Sequence, residues 1–187
     1  MSLTRIIDPA VEPLSIDEAR SQARLDGASD QDLDLLEFLR GARDQAEQFT
    51  RRALITQTWR LTIDNAFPDT IELWRTPVQS ITSITYLDSD SVEQTVDSSL
   101  YQSNLTVAPA IIKPTYNGTW PTPYAVLGAV NVTFVAGYGD APYNVPPMIR
   151  MALRALIASC VDYRDATSAD WDGFYQRLMP FKVWRLP

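Results

Sequence analysis

Apolar residues at Leu35, Leu39, Ala42, Ala46 and Phe49, at steps of four, three, four and three, constrain this chain more than any other feature. That spacing predicts a helix over Asp30 to Thr50 with one buried stripe. Asp30, Asp32 and Asp34 fall in its first turn and Arg51 and Arg52 follow its last, so charge opposes the macrodipole at both ends. At 1.5 Å per residue such a helix reaches ~30 Å, the width of a small domain, and needs partners along its whole length. The other strongly helical run, Pro146 to Asp165, is the best partner. Residues 53–144, between the two, read as strands. The expected fold class is α+β: a helical bundle of about four helices, with an antiparallel β-domain inserted between helix 2 and helix 3. The expected division is 1–52 and 145–187 for the bundle, with an N-terminal arm and a C-terminal tail, and 53–144 for the insert.

Local signals fill in that plan. Met1 to Pro13 holds two prolines and no periodicity, and reads as the arm. Ser15-Ile-Asp-Glu18 is a capping box, with Leu14 and Ala19 placed as a small staple. A short helix follows to about Leu25, where Gly27 supplies a left-handed stop and Ser29 caps the long helix. From Thr56 the period becomes two: Trp59, Leu61 and Ile63 alternate with Arg60, Thr62 and Asp64, the pattern of a half-buried strand. Ile71 to Trp74 is a second strand. Ser80 to Leu87 and Val92 to Val96 flank Asp88-Ser-Asp-Ser91 as a hairpin. Tyr101, Ala110 to Pro114 and Val130 to Val135 add more, with turns at Ser103-Asn104, Asn117-Gly118 and Pro121 to Pro123. This spacing suggests one compact antiparallel sheet or a small barrel. Gly137 and Gly139 end it, and Pro146-Pro147 open a helix carrying Ile149, Leu153, Leu156, Cys160 and Tyr163 on one face. Trp171, Phe174, Tyr175 and Leu178 mark a final helix capped by Thr167 or Ser168.

Composition narrows the function. With 187 residues and 45% hydrophobic content the chain can build a core without staples, and its single cysteine, Cys160, fits a buried thiol on a helix. No stretch has the length of a membrane span and Met1 to Ala10 lacks the apolar core of a secretory signal, so a soluble protein is expected. The net charge of −7 argues against a surface built to grip phosphate backbones. Only residues 145–187 are basic as a segment, at +2. Arginine outnumbers lysine fourteen to two, a choice suited to bidentate pairing at interfaces, although genomic base composition produces the same bias.

Chemistry is hard to find. The chain contains no histidine, which removes Ser-His and Cys-His nucleophile pairs and the commonest metal ligand together. Asp30-Gln-Asp-Leu-Asp34 begins like a calcium loop but has Leu35 where glycine and Gly41 where glutamate are required. Gly137-Tyr-Gly139 lacks the third glycine of a dinucleotide fingerprint and reads as a sheet-to-helix turn. Lys113 and Lys182 have no recognisable partners as amine nucleophiles. Two alternatives stay open at this point. Asp64, Asp69 and Glu72 could form the carboxylate pair of a hydrolase, which requires two acids roughly 5 to 10 Å apart. Trp74, Trp120 and Tyr124 could form the platform of a carbohydrate-binding β-module.

Several stretches together carry a resemblance. They are Leu14-Ser-Ile-Asp-Glu-Ala-Arg20 with Ala23-Arg-Leu-Asp26, Ala46-Glu-Gln-Phe-Thr-Arg-Arg-Ala-Leu-Ile-Thr-Gln-Thr-Trp-Arg-Leu61, and Pro77-Val-Gln-Ser-Ile-Thr-Ser-Ile-Thr-Tyr86. Val132-Thr-Phe-Val-Ala-Gly-Tyr-Gly139, Val145-Pro-Pro-Met-Ile-Arg150 and Pro180-Phe-Lys-Val-Trp184 continue the series in order. The chain resembles the head-tail connector proteins, also called adaptor or head-completion proteins, of long-tailed bacteriophages, prophages and gene transfer agents. The resemblance implies a non-enzymatic virion component without cofactor or metal, assembled in the host bacterial cytoplasm. It implies a ring of identical subunits, a dodecamer in the particle, between the portal protein ring at the capsid vertex and a stopper or tail-completion protein. Double-stranded DNA would pass through the lumen without specific binding, and an acidic lining would let it slide. No membrane is involved. In the family the C-terminal region engages the portal, which assigns portal docking here to Phe181, Lys182, Val183, Trp184, Arg185 and Leu186. That tail joins aromatic and arginine anchors of the kind interface hot spots use.

Overall fold

The computed structural model describes residues 1–22, 32–163 and 168–184. Among the described residues there are four α-helices and eight strands, and the strands β2 to β8 lie between the second and third helices. Contacts divide the chain into two compact units: Met1–Asp8 with Thr56–Gly137, and Pro9–Ile55 with Tyr138–Pro187.

The β unit comprises β1 (Ser2–Ile7), β2 (Gln57–Ile63), β3 (Ile71–Leu73), β4 (Val78–Leu87), β5 (Glu93–Thr95), β6 (Tyr101–Asn104), β7 (Ala110–Pro114) and β8 (Val130–Ala136). They form a five-stranded sheet in the order β1-β2-β8-β4-β5 and a three-stranded sheet in the order β3-β7-β6, with every pair antiparallel. The alternation seen in sequence becomes a buried face through register. Trp59, Leu61 and Ile63 stand opposite Phe134, Val132 and Val130, and all six are buried. The β4–β5 hairpin is closed by Asp88, whose carboxylate accepts the Asp90 and Val92 amides at 2.9 and 3.0 Å and the Gln94 side-chain amide at 2.8 Å. An Asx turn of this kind fixes a loop of small polar residues.

Three expectations for this region change. Met1 to Pro13 is not simply an arm, because Ser2–Ile7 pairs along β2 as an edge strand. Leu3 and Arg5 face Leu61 and Trp59 there, with the Arg5 guanidinium 5.9 Å from the Trp59 ring centre. Ser103-Asn104 is no turn but the end of β6, paired with Ile112 and Ile111 of β7. Pairing to an apolar neighbour overrides weak intrinsic strand preference. There are also two sheets instead of one sheet or a barrel. An aromatic chain joins them: Phe67 lies 6.0 Å from Tyr86 on β4 and 4.8 Å from Trp120, which lies 6.4 Å from Tyr101 on β6.

The helical unit comprises α1 (Ile16–Gln22), α2 (Asp32–Thr50), α3 (Pro147–Tyr163) and α4 (Ser168–Leu178). Leu35, Leu39, Ala42 and Ala46 of α2 share one core with Ile149, Leu153, Leu156 and Cys160 of α3 and with Phe174 and Leu178 of α4. The helical stripes read in sequence therefore face one another. The expected signals at Gly27, Ser29 and Thr167, the cap at Ser168 and the side chain of Tyr163 lie outside the described residues.

Helix α1 starts as its sequence dictates. The Glu18 amide donates to the Ser15 hydroxyl and the Ser15 amide to a Glu18 carboxylate oxygen, both at 3.1 Å, while Leu14 and Ala19 are fully buried. The other Glu18 oxygen accepts from Arg150 at 2.5 Å and from Arg154, so one carboxylate caps α1 and ties it to α3. Burial pushes its pKa up, but the Ser15 amide and the two guanidiniums outweigh that and hold it below the usual value. A second ionic link is nearly dry: Arg43 on α2 donates to both Glu12 oxygens, at 2.8 and 3.0 Å.

Candidate functional site

The tail assigned to docking is built onto the end of α2. Thr50 closes that helix, its hydroxyl donating back to the Ala46 carbonyl at 2.6 Å, and Arg51 turns the chain with φ of +58°. A residue in the left-handed region just past a helix leaves the last carbonyls for other partners. The C-terminal segment takes them up. Val183 donates its amide to the Thr50 carbonyl at 3.0 Å, and the Phe181 carbonyl accepts from Arg52 Nε at 2.6 Å. Met179–Phe181 form a 3-10 turn continuing α4, with Phe181 packed against the core.

The six docking candidates consequently separate. Phe181 is partly buried and Val183 is only 4% exposed, so both anchor the segment to its own helical unit. Lys182 Nζ sits 4.4 Å from the Phe49 ring centre and 4.8 Å from that of Trp184. Trp184 is 60% exposed, resting on that ammonium with its remaining surface open. Arg185 and Leu186 lie outside the described residues. The aromatic run continues inward: Phe49 packs 4.7 Å from Tyr175, which stacks 6.0 Å from Trp171.

Of the residues named for the alternative chemistries, one cleft gathers Asp69 and Trp120. Asp64 accepts the Gly128 amide at 2.9 Å and the Met1 amino group at 3.2 Å, and those two partners, the amide first, hold its carboxyl below the ordinary range. Asp69 lines an open cleft of about 540 Å³ with Lys113, Phe67 and Trp120, and Asp64 and Glu72 do not. Trp120 lays its ring flat on Phe67, at an interplanar angle of 10°, so that face is taken by packing. Trp74 and Tyr124 lie off the cleft. Asp32 of the calcium-like run is paired with Arg20, and Asp30 lies outside the described residues. Among the described residues no cluster of acids and cysteine has the makings of a metal site, and no helix is long and apolar enough to cross a membrane. Tyr138, between the two glycines, donates its amide to Leu54 at 3.3 Å. Burial raises its phenol pKa, partly offset by Arg52, whose guanidinium is 5.9 Å from the ring centre.

Sequence reasoning singled out Trp184 through its composition signal, an apolar and basic run after Pro180, and the structure leaves that side chain 60% exposed. It missed that Arg52, read only as a helix-end charge, holds the tail in place.

No family model and no curated protein matches the chain. Solved structures do. A chain from the neck of an empty GTA particle computed with C6 symmetry is 25% identical with a TM-score of 0.84. A chain from the virion of a native gene transfer agent (GTA) particle is 25% identical with a TM-score of 0.83. A chain from the neck of a native GTA particle computed with C12 symmetry is 22% identical with a TM-score of 0.76, a likeness of fold. Each match covers 100% of this chain and 98% of the other.

Proposed function

We propose that this protein is a structural, non-enzymatic component of a phage-like particle, an adaptor subunit of the neck ring. In this role it joins the portal at the capsid vertex to a stopper or tail-completion protein, and DNA passes through the ring it helps to form. The observation that carries the proposal is the end-to-end match to a chain of a gene transfer agent neck at TM-score 0.84. A match to both units argues for the whole molecule's mechanical role, where a match to one alone would argue only for a shared module. The symmetry of the two neck structures supports a ring of identical copies. In this ring the exposed Trp184, held out on an anchored segment, contacts the portal. Light scattering of the purified chain, alone and with portal rings of the same particle, tests the proposal. A stable complex carrying several copies per portal is expected, and its absence at micromolar concentration rules the adaptor role out.

A further inference from the structure

The five-stranded sheet ends in two edges, β1 and β5, whose outward backbone groups no strand among the described residues pairs. Natural sheets guard such edges with charged residues, proline, bulges, very short strands or a covering element. Here β5 is three residues long and begins with Glu93, and β1 carries Arg5 and a register shift between Arg5 and Ile7, yet β1 still exposes Ile6 and Ile7. The two ends of the sheet also carry opposite charge on one face, Arg60 on β2, one strand in from the β1 edge, and Glu93 on the edge strand β5 itself. Register places it there: Arg60 on β2 stands opposite Thr4 of β1 and Thr133 of β8, while Trp59 and Leu61 point to the buried side. Following the pairs across, Thr133 meets Ser83 and Asn131 meets Thr85 on β4, and Thr85 meets Thr95 on β5. Glu93, two residues from Thr95, shares that outer face with Arg60.

Arg60, Asp90 and Glu93 are all exposed, and among the described residues none of the three side chains has an ion-pair or hydrogen-bond partner. Thr4 is small enough to let the Arg60 guanidinium reach past the edge. Asp90 and Glu93 sit in the hairpin that forms the other edge, with no basic residue from Asp88 to Asp97.

We infer that these two edges meet between neighbouring copies of this chain, β1 of one copy beside β5 of the next, with Arg60 of the first facing Glu93 and Asp90 of the second. A contact between two different edges is heterologous, and a rotation that closes turns it into a ring. All pairs in the sheet are antiparallel, so β1 and β5 run in the same sense and the new pair is parallel. Such a ladder is short and slightly weaker per residue, so the charges set its register. The inference rests on the ring proposed above and names the surface that forms it.

Charge reversal tests it on the full chain, with portal rings as template and copies per portal read by mass measurement. R60E and E93R occupy exposed positions and should keep the wild-type circular dichroism spectrum and melting temperature. Each alone is expected to weaken ring formation at least about tenfold through like-charge opposition. The double variant R60E/E93R should recover it, and so should an equimolar mixture of the two single variants, whose copies can alternate. Assembly of the single variants at wild-type concentration, or failure of both the double variant and the mixture to recover, overturns the edge contact. If the wild type itself gathers no multiple copies on the portal, the adaptor proposal fails and this inference falls with it.

Discussion

The Val183 amide donates to the Thr50 carbonyl at 3.0 Å, so the last turn of α2 is completed by a residue near the far end of the chain. Val183 is buried beside that bond. Val183→Ala removes two methyl groups at ~0.8 kcal/mol each, and a loss of about 1.5 kcal/mol is expected in urea unfolding. A change below a few tenths would mean that the segment is not held as described.

Glu18 joins three charged or polar partners through two oxygens. Replacing it by alanine removes the capping box and leaves Arg150 and Arg154 without their shared anion, at a cost of at least about 1 kcal/mol. The pH dependence has a definite sign. Its folded-state pKa is lowered, so its contribution is present above the unfolded pKa and is lost as pH falls through the folded one. The stability gap between wild type and Glu18→Gln should therefore be full at neutral pH and shrink in acid. A gap that widens below the ordinary carboxylate range would contradict the assignment.

Arg43 and Glu12 form a pair that solvent barely reaches, with side-chain exposures of 7% and 13%. Breaking such a pair from one side leaves the buried Arg43 guanidinium only its 3.2 Å contact with the exposed Asp44, so Glu12→Gln is expected to cost roughly 3 kcal/mol. Replacing both partners, Glu12→Gln with Arg43→Met, removes the poorly compensated buried charge and should recover most of that loss. A thermal-melt double-mutant cycle gives the answer, and purely additive losses would show that the two do not interact.

How much of this was legible follows from distance along the chain. The capping box at Ser15 and Glu18 and the stripe from Leu35 to Ala46 are local signals, and both form as read. The links of Arg43 to Glu12, of Arg52 to Phe181 and of Glu18 to Arg150 and Arg154 join residues far apart in the sequence, and no periodicity points to them. Arg43 and Glu47 even break the pattern, being buried charges on a helix whose polar residues should face water. Glu47 is there to accept the Leu54 amide at 2.8 Å, a backbone need that side-chain spacing does not encode. The same reasoning explains β1: Ser2 to Ile7 has weak alternation, and only β2 makes it a strand. At the candidate site, composition singled out the tail, but which of its residues anchor and which remain open emerged only from the contacts of Arg52 and Thr50.

That division supplies the sharpest test of portal docking. Trp184 rests on the Lys182 ammonium and is otherwise open, so Trp184→Ala gives up a cation–π contact of ~0.5 kcal/mol and little packing. Its melting temperature should stay near that of the wild type. An exposed indole that becomes desolvated against a partner behaves differently, because truncating such an anchor typically removes ~2 kcal/mol of binding, about thirtyfold in affinity. Portal rings titrated with Trp184→Ala should show that loss, whereas Val183→Ala, measured below its unfolding range, should bind within a few fold of wild type. The contrast matters because a general loosening of the tail would weaken both variants together. Equal portal affinity for wild type and Trp184→Ala would leave the tail as a structural strap closing α2 and would move the portal contact elsewhere on the subunit.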